Sequence, residues 1–187
     1  MMRVSLLFPL LRRPWRAGAK LASERRGPME KATNPIRPTD DAARALARGI
    51  LADHNYAALG VTDPQTGAPT LSRVAYVWLP ETAQILSLIS DLSAHSRALA
   101  ERPNCGLLIG SVPDRGDPLT HPRLSLETYA LPCDKAEKKA AYLAAYPKAK
   151  LYFDFGDFRM VEFTVKAAFL NGGFGQAFHL TPDDLRP

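Results

Sequence analysis

The chain has 187 residues, 46% of them hydrophobic, enough for one domain with a sizeable core, and no apolar run approaches the ~20 residues that span a bilayer. Its net charge of +5 is unevenly placed: residues 1–31 hold eight Arg and Lys against two Glu, leaving 16 basic and 17 acidic residues in 32–187. A near-neutral domain offers no electrostatic footprint for nucleic acid, and none for a membrane surface.

Residues 1–31 are rich in Arg, Pro and small residues, with one short apolar run from Val4 to Leu11. We read them as a disordered extension or an over-long start upstream of Met29, and residues 32–187 as the domain. An Arg-rich, acid-poor start also suits an organelle transit peptide. Thr33 to Pro38 is extended by its two prolines; Thr39 then caps a helix from Asp40 to about Asp53. Leu46, Ile50 and Leu51 form its apolar stripe, with Arg44 and Arg48 opposite. His54, just past this helix, reads as a C-terminal charge partner.

Tyr56 to Thr62, Leu71 to Trp78, Ala83 to Ile89, Asn104 to Gly110 and Leu124 to Leu131 read as five successive strands. Asp63 to Gly67 joins the first two as a hairpin loop, and Pro80-Glu81 breaks the chain between the second and third. A helix of about eight residues, Ala94 to Glu101, follows the third strand with Ser93 at its N-cap and Pro103 beyond its end. Val112 to Pro122 is too long for a tight turn and is a candidate for function.

Asp134 to Tyr146 is an amphipathic helix closed by Pro147. Leu151 to Phe158 is aromatic-rich, Arg159 to Lys166 alternates as a strand, and Ala167 to Leu180 is a last β segment interrupted by Gly172, Gly173 and Gly175. Those glycines allow a bulge or the close approach of a ligand or a neighbouring chain; the other reading is a bend that turns a barrel corner. Six or more short strands with two or three helices make a mainly β (α+β) fold, a β-barrel with helices packed outside it. Cys105 and Cys133 lack metal-type spacing and read as free thiols, which suits a reducing, cytoplasmic setting.

The chemistry concentrates where the third strand meets the Ala94–Glu101 helix. Free N–H groups of a first helical turn favour an anion, above all a phosphate, and Arg73, Ser90, Ser93, His95, Ser96 and Arg97 are donors close in sequence to that point. The competing reading is an exposed strand Arg beside an ordinary capped helix.

A strand with an internal Arg, a second strand, a serine-containing turn and a helix ending in Glu101-Arg102-Pro103 resembles the FMN-binding split-barrel proteins related to pyridoxamine 5'-phosphate oxidase, on the branch that includes haem-utilisation proteins. Four further marks carry the resemblance: residues 34–38 (NPIRP), 116–123 (GDPLTHPR), 155–159 (FGDFR) and 171–175 (NGGFG). It implies a split β-barrel of about six antiparallel strands with FMN bound at the interface of a homodimer. It further implies that Arg73 contacts the flavin phosphate, that Val74 sets backbone against the ring or ribityl chain, and that Ser90, Ser93, His95 and Ser96 complete the cradle, with Arg97 beside them. Arg123 would meet the flavin ring edge, and Asn171, Gly172 and Gly173 would reach a flavin, that of the partner subunit included.

The activity so implied is hydride or electron transfer through FMN between a reduced donor and a small-molecule acceptor. Trp78 stands where the phosphate-oxidising enzymes carry lysine, and their late Arg-x-His motif is missing, which argues against pyridoxamine phosphate oxidation itself. Two alternatives share the scaffold. One is a haem-binding or haem-degrading protein with His179 or His121 as axial ligand. The other is a flavin carrier or sensor without enzymatic activity. No residue is singled out as a general acid or base.

Overall fold

The computed structural model describes residues 36–114 and 116–187, so the reading of 1–31 lies outside the described residues. Among the described residues nine strands and three α-helices follow one another: β1 (Ile36–Arg37), α1 (Asp41–Asp53), β2 (Tyr56–Thr62), β3 (Pro69–Ala75), β4 (Val77–Leu79), β5 (Gln84–Ser90), α2 (Ala94–Glu101), β6 (Asn104–Ile109), β7 (Arg123–Pro132), α3 (Lys135–Ala145), β8 (Phe158–Asn171) and β9 (Ala177–Leu180). Six staves make the barrel: β2, β3 with β4, β5, β8, β7 and β6. All of these pair antiparallel. The short β1 adds in parallel to β9, which pairs with the far half of β8.

The stretch from Leu71 to Trp78, read as one strand, is broken at Tyr76, and the break is what splits the barrel. Up to Ala75 it pairs with β2; from Val77 it pairs with β5. Tyr76 N donates to Asn55 O at 2.9 Å and its hydroxyl donates to Leu51 O at 3.0 Å, so this buried residue is tied to the end of α1 at the changeover. Ser87, fully buried on β5, bridges the gap by donating to Ala75 O at 2.7 Å.

The two late β segments differ from expectation in the opposite sense. Arg159 to Lys166 and the start of the glycine-interrupted run are one 14-residue strand, β8, and only Ala177–Leu180 is separate. A long stave is needed because β8 pairs along one side with β7 and along the other with β5 and then β9. The helix caps also shift. Asp40, not Thr39, caps α1 by accepting from Ala43 N at 2.8 Å, and the Thr39 hydroxyl donates instead to His179 O at 2.6 Å. Arg44 and Arg48 lie on the flank of α1 that meets the C-terminal turn, where both reach Asp184.

Two apolar clusters hold this together. Leu59, Ile85, Leu107, Leu126 and Phe163 fill the barrel, joined by Ala47 and Leu51 of α1 and by Ala98 and Leu99 of α2. On the outside of β5 and β8, Leu86, Leu88 and Met160 pack under Tyr142 of α3 and Phe153. The coverage explains why the middle of β5 is buried on both faces while the other staves alternate. Burial of this kind is the main favourable term in folding. Among the described residues nothing covers the outer faces of β2, β3 and β6 in this way: Tyr56, Leu71 and Leu108 are 40%, 79% and 47% exposed.

Candidate functional site on the uncovered barrel face

Register across the uncovered face sets one row of side chains on the same side: Arg73, Ala58, Leu108, Ser125, Phe169 and His179, each directly opposite the next. None of the six is buried. Five strand spacings separate the two ends, about 24 Å along the sheet. Arg73 and His179 therefore belong to two different clusters on one surface.

The first cluster is the junction of β3 with α2. Arg73 points outward, its guanidinium over the Tyr56 ring at 5.2 Å from the centroid. Val74 turns inward and is buried, so only its backbone is available to a ligand. Ser72, on the inward side next to Arg73, makes the bond that joins the strand to the helix: its Oγ lies 3.1 Å from His95 Nδ1. Ser72 and Tyr56 were missed by sequence reading; the signal for Ser72 was its place beside a candidate ligand, but which helix residue would meet it depends on how α2 docks.

His95 is the most informative side chain here. Its other ring nitrogen, Nε2, is buried and has no hydrogen-bond partner among the described residues. Burial pushes the imidazole below its usual range, so the neutral ring dominates. When the Ser72 hydroxyl donates to Nδ1, Nε2 carries the proton and becomes a donor awaiting an acceptor. Ser93 holds the N-cap position of α2 as expected, yet its side chain makes no cap bond. The hydroxyl that sequence assigns to the helix is thus left for something else.

The other serines are committed to the turn itself. Ser90 Oγ donates to Asp157 Oδ2 at 2.7 Å, and Ser96 Oγ donates to Ser90 O at 2.7 Å. Asp157 also accepts Asp91 N through its carbonyl at 2.7 Å, which binds the FGDFR segment to the turn that launches α2. Arg97 does not join Ser72 and His95: its Nη1 donates to Leu92 O at 3.2 Å, and it lines a groove beside β7 and β8. Residues 95 and 97 are about 200° apart around a helix, so they serve opposite sides of α2.

The second cluster lies at the start of β7. Arg123 Nη1 donates to Leu119 O at 3.2 Å and His121 O at 3.4 Å, bracing the turn that precedes it. Asn171 stands opposite Arg123, and its Oδ1 accepts Gly173 N at 3.1 Å. With Ser125, Phe169 and His179 these residues line a groove of about 300 Å³. The His179 ring is exposed and stands edge-on to Phe169 with centroids 4.6 Å apart.

His121 is set apart from that groove. Its Nε2 is buried and has no partner among the described residues, and it lines a hollow with Asp53, His54 and Ser111 under α1. His54 there bonds Ile50 O through Nδ1 at 2.9 Å, in keeping with a helix C-terminal partner. The close approach that glycine permits at 173, where φ is +123°, is taken up within the chain: a Cβ would stand 3.1 Å from Thr120 O. At Gly172 a Cβ would stand 3.3 Å from Leu46 of α1. The glycine segment therefore seats against α1 and the loop before β7, and it sets Asn171 opposite Arg123.

Neither a family model nor a curated protein matches the chain. Solved structures do. One is 43% identical, with 81% of this chain matched to 100% of that one at a TM-score of 0.74. The heme binding protein from Mycobacterium smegmatis is 29% identical over 80% of this chain, TM-score 0.68, and this chain spans only 61% of its length. A Clostridium acetobutylicum protein related to general stress protein 26, of the pyridoxinephosphate oxidase family, shares the fold at 14% identity and TM-score 0.60, covering 79% of this chain and 99% of its own. No helix among the described residues is long and apolar enough to cross a membrane. With its six-stave circuit split at Tyr76 and these likenesses, the chain has the split-barrel fold of the proteins related to pyridoxamine 5'-phosphate oxidase.

Proposed function

We propose that the protein is a flavoprotein whose β3–α2 junction anchors the phosphate of FMN, acting as an oxidoreductase between a reduced donor and a small acceptor. The observation that carries this is the unpartnered Nε2 of His95, held by Ser72 at the start of α2, whose N-cap Ser93 makes no side-chain cap bond. A phosphate accepts from such donors, and the partial positive charge of the helix start favours it. Arg73, with no carboxylate within ion-pair distance among the described residues, adds the full positive charge that a phosphate requires.

FMN, when bound, supplies hydride and single-electron chemistry of its own. The chain's part is to hold and to tune. Ser72 holds the His95 ring in place, Tyr56 limits where the Arg73 guanidinium lies, and the backbone of Val74 offers hydrogen bonds along β3. Arg123, braced by two carbonyls, supplies a fixed cation that stabilises negative charge on a ring edge. Three strand spacings, about 14 Å, separate the strand of Arg73 from that of Arg123. We take this as support for a homodimer in which one chain anchors the phosphate and its partner presents Arg123 and Asn171. A dimer would also cover the exposed Tyr56, Leu71 and Leu108.

A second reading, haem binding, is favoured by one observation: the exposed His179 stands beside Phe169 and Arg123 in the second groove, which can offer an imidazole ligand, an aromatic wall and a cation for a propionate. The heme binding protein from Mycobacterium smegmatis lends weight to it. The deciding experiment is the visible spectrum of the purified protein, alone and after adding FMN or haem, in wild type, Arg73→Ala and His179→Ala. Flavin binding weakened roughly 10-fold or more in Arg73→Ala, as loss of a charge-assisted contact of about 1.5–3 kcal/mol requires, supports the first reading. A Soret band that appears with haem and is lost in His179→Ala, with no flavin uptake, would replace it by the second.

A further inference from the structure

On the side of α2 away from His95 lies a groove of about 570 Å³, bounded by the helix, the end of β5, the end of β7 and the start of β8. Its floor is apolar and buried: Ile89, Leu99, Ala130 and Val161. Pro103, Tyr129 and Leu131 form one wall. Its charge comes from Arg97, Arg159 and Asp91, none of them buried, which places that charge at the mouth.

The charges do not cancel. Arg159 Nε sits 2.6 Å from Asp91 Oδ1, which commits one guanidinium edge to the carboxylate. Arg97 has no carboxylate within ion-pair distance among the described residues; its single side-chain bond is to the Leu92 carbonyl. Two guanidiniums and one carboxylate leave the mouth with one excess positive charge above a floor of apolar side chains, and the Ser96 hydroxyl that also lines the groove already donates to Ser90 O. The volume falls in the range of small-molecule sites, ~300–1,000 Å³.

We propose that this groove is a second ligand site, distinct from the β3–α2 cradle, for a compact amphipathic monocarboxylate: an apolar body laid over Ile89, Leu99 and Val161, with its carboxylate held between Arg97 and Arg159. The chemistry selects that class. A sugar or nucleoside would leave its hydroxyls unpaired over the floor, at a cost in free energy for each. A cation would meet two arginines. A neutral hydrocarbon would leave the mouth charge unused, and a dianion would exceed it.

The test is calorimetric titration of the full-length protein with octanoate, with 1-octanol as the neutral comparison of equal chain length. Octanoate is expected to bind one per chain, at least 10-fold tighter than 1-octanol. Arg97→Gln is expected to remove most of that preference. Ala100→Phe, at an exposed helix position lining the groove, should weaken octanoate at least 10-fold by filling it while the melting temperature stays within a few degrees of wild type. Arg73→Ala, which tests the cradle, should leave octanoate affinity unchanged. Absence of saturable octanoate binding, equal affinity for 1-octanol, binding unchanged in Arg97→Gln or in a folded Ala100→Phe, or loss of binding in Arg73→Ala would each overturn the proposal.

Discussion

Removing the Ser72 hydroxyl tests the link on which the cradle depends. In Ser72→Ala the His95 ring loses the partner of its Nδ1, 3.1 Å away, and both ring nitrogens are left without one. A neutral hydrogen bond contributes a net ~0.5–1.5 kcal/mol, and a stranded buried polar atom costs ~1–3 kcal/mol. The ring is only half-buried, so water recovers part of the loss and destabilisation of about 1 kcal/mol is expected. In a domain of this size that is a fall of about 2–4 °C in Tm. Urea unfolding of Ser72→Ala, His95→Ala and the double variant forms a cycle whose coupling should reach about 0.5–1.5 kcal/mol. FMN affinity should fall in parallel, about 2–10-fold in Ser72→Ala, because in the proposed cradle the hydroxyl holds the ring that would donate to the phosphate. Additive unfolding energies, with coupling under about 0.3 kcal/mol, would refute the contact as an energetic link. A loss of FMN affinity in Ser72→Ala that His95→Ala does not share would show that Ser72 acts on the ligand directly.

Other parts of the molecule give equally definite expectations. The Asp184 carboxylate accepts from Thr181 N at 2.8 Å, from the Thr181 hydroxyl and from Arg44 Nε, and the Thr181 backbone bond first, the arginine after it, hold its pKa below the usual carboxylate range. A carboxylate depressed in the folded state stabilises fully above its unfolded value of ~3.9 and loses that contribution as pH falls through the lower folded value. Asp184→Asn should therefore be less stable than wild type at neutral pH, with the gap closing below about pH 4 in acid titrations followed by circular dichroism; a gap constant with pH would exclude the mechanism. Tyr146 of the α3 C-cap places its hydroxyl among Asn55 O, Tyr76 O and Tyr76 N; because Tyr76 N also bonds Asn55 O, Tyr146→Phe leaves Tyr76 O without its partner and should cost about 1–3 kcal/mol in urea unfolding. A loss under about 0.5 kcal/mol would mean that water replaces the hydroxyl there.

The long, strongly patterned elements were legible in the sequence because local rules alone decide them. The helix Ala94–Glu101 begins after a serine and ends before Pro103, and Tyr56–Thr62 alternates with its turn residues at the following loop. Arg73, Ser93 and His95 stood out as candidate donors because donor chemistry beside a helix start is a local feature. The family resemblance supplied the split barrel, which periodicity could give only as a barrel.

Tertiary structure decided what depends on pairing and docking. Nothing local marks Tyr76 as the residue where a strand leaves β2 for β5; the tie to Asn55 and Leu51 exists only once α1 has packed. Which serines are free is likewise a matter of partners: Asp157, more than sixty residues away, takes up Ser90, while Ser93 gives up the cap bond that its position predicts. The same docking of α2 sends His95 toward Ser72 and Arg97 toward the groove by β7 and β8, dividing one run of polar residues between two surfaces. A sequence sets which groups are available and the period at which they recur; long-range register and helix docking set which of them meet, because hydrogen bonds and packed surfaces form between segments that no local pattern relates.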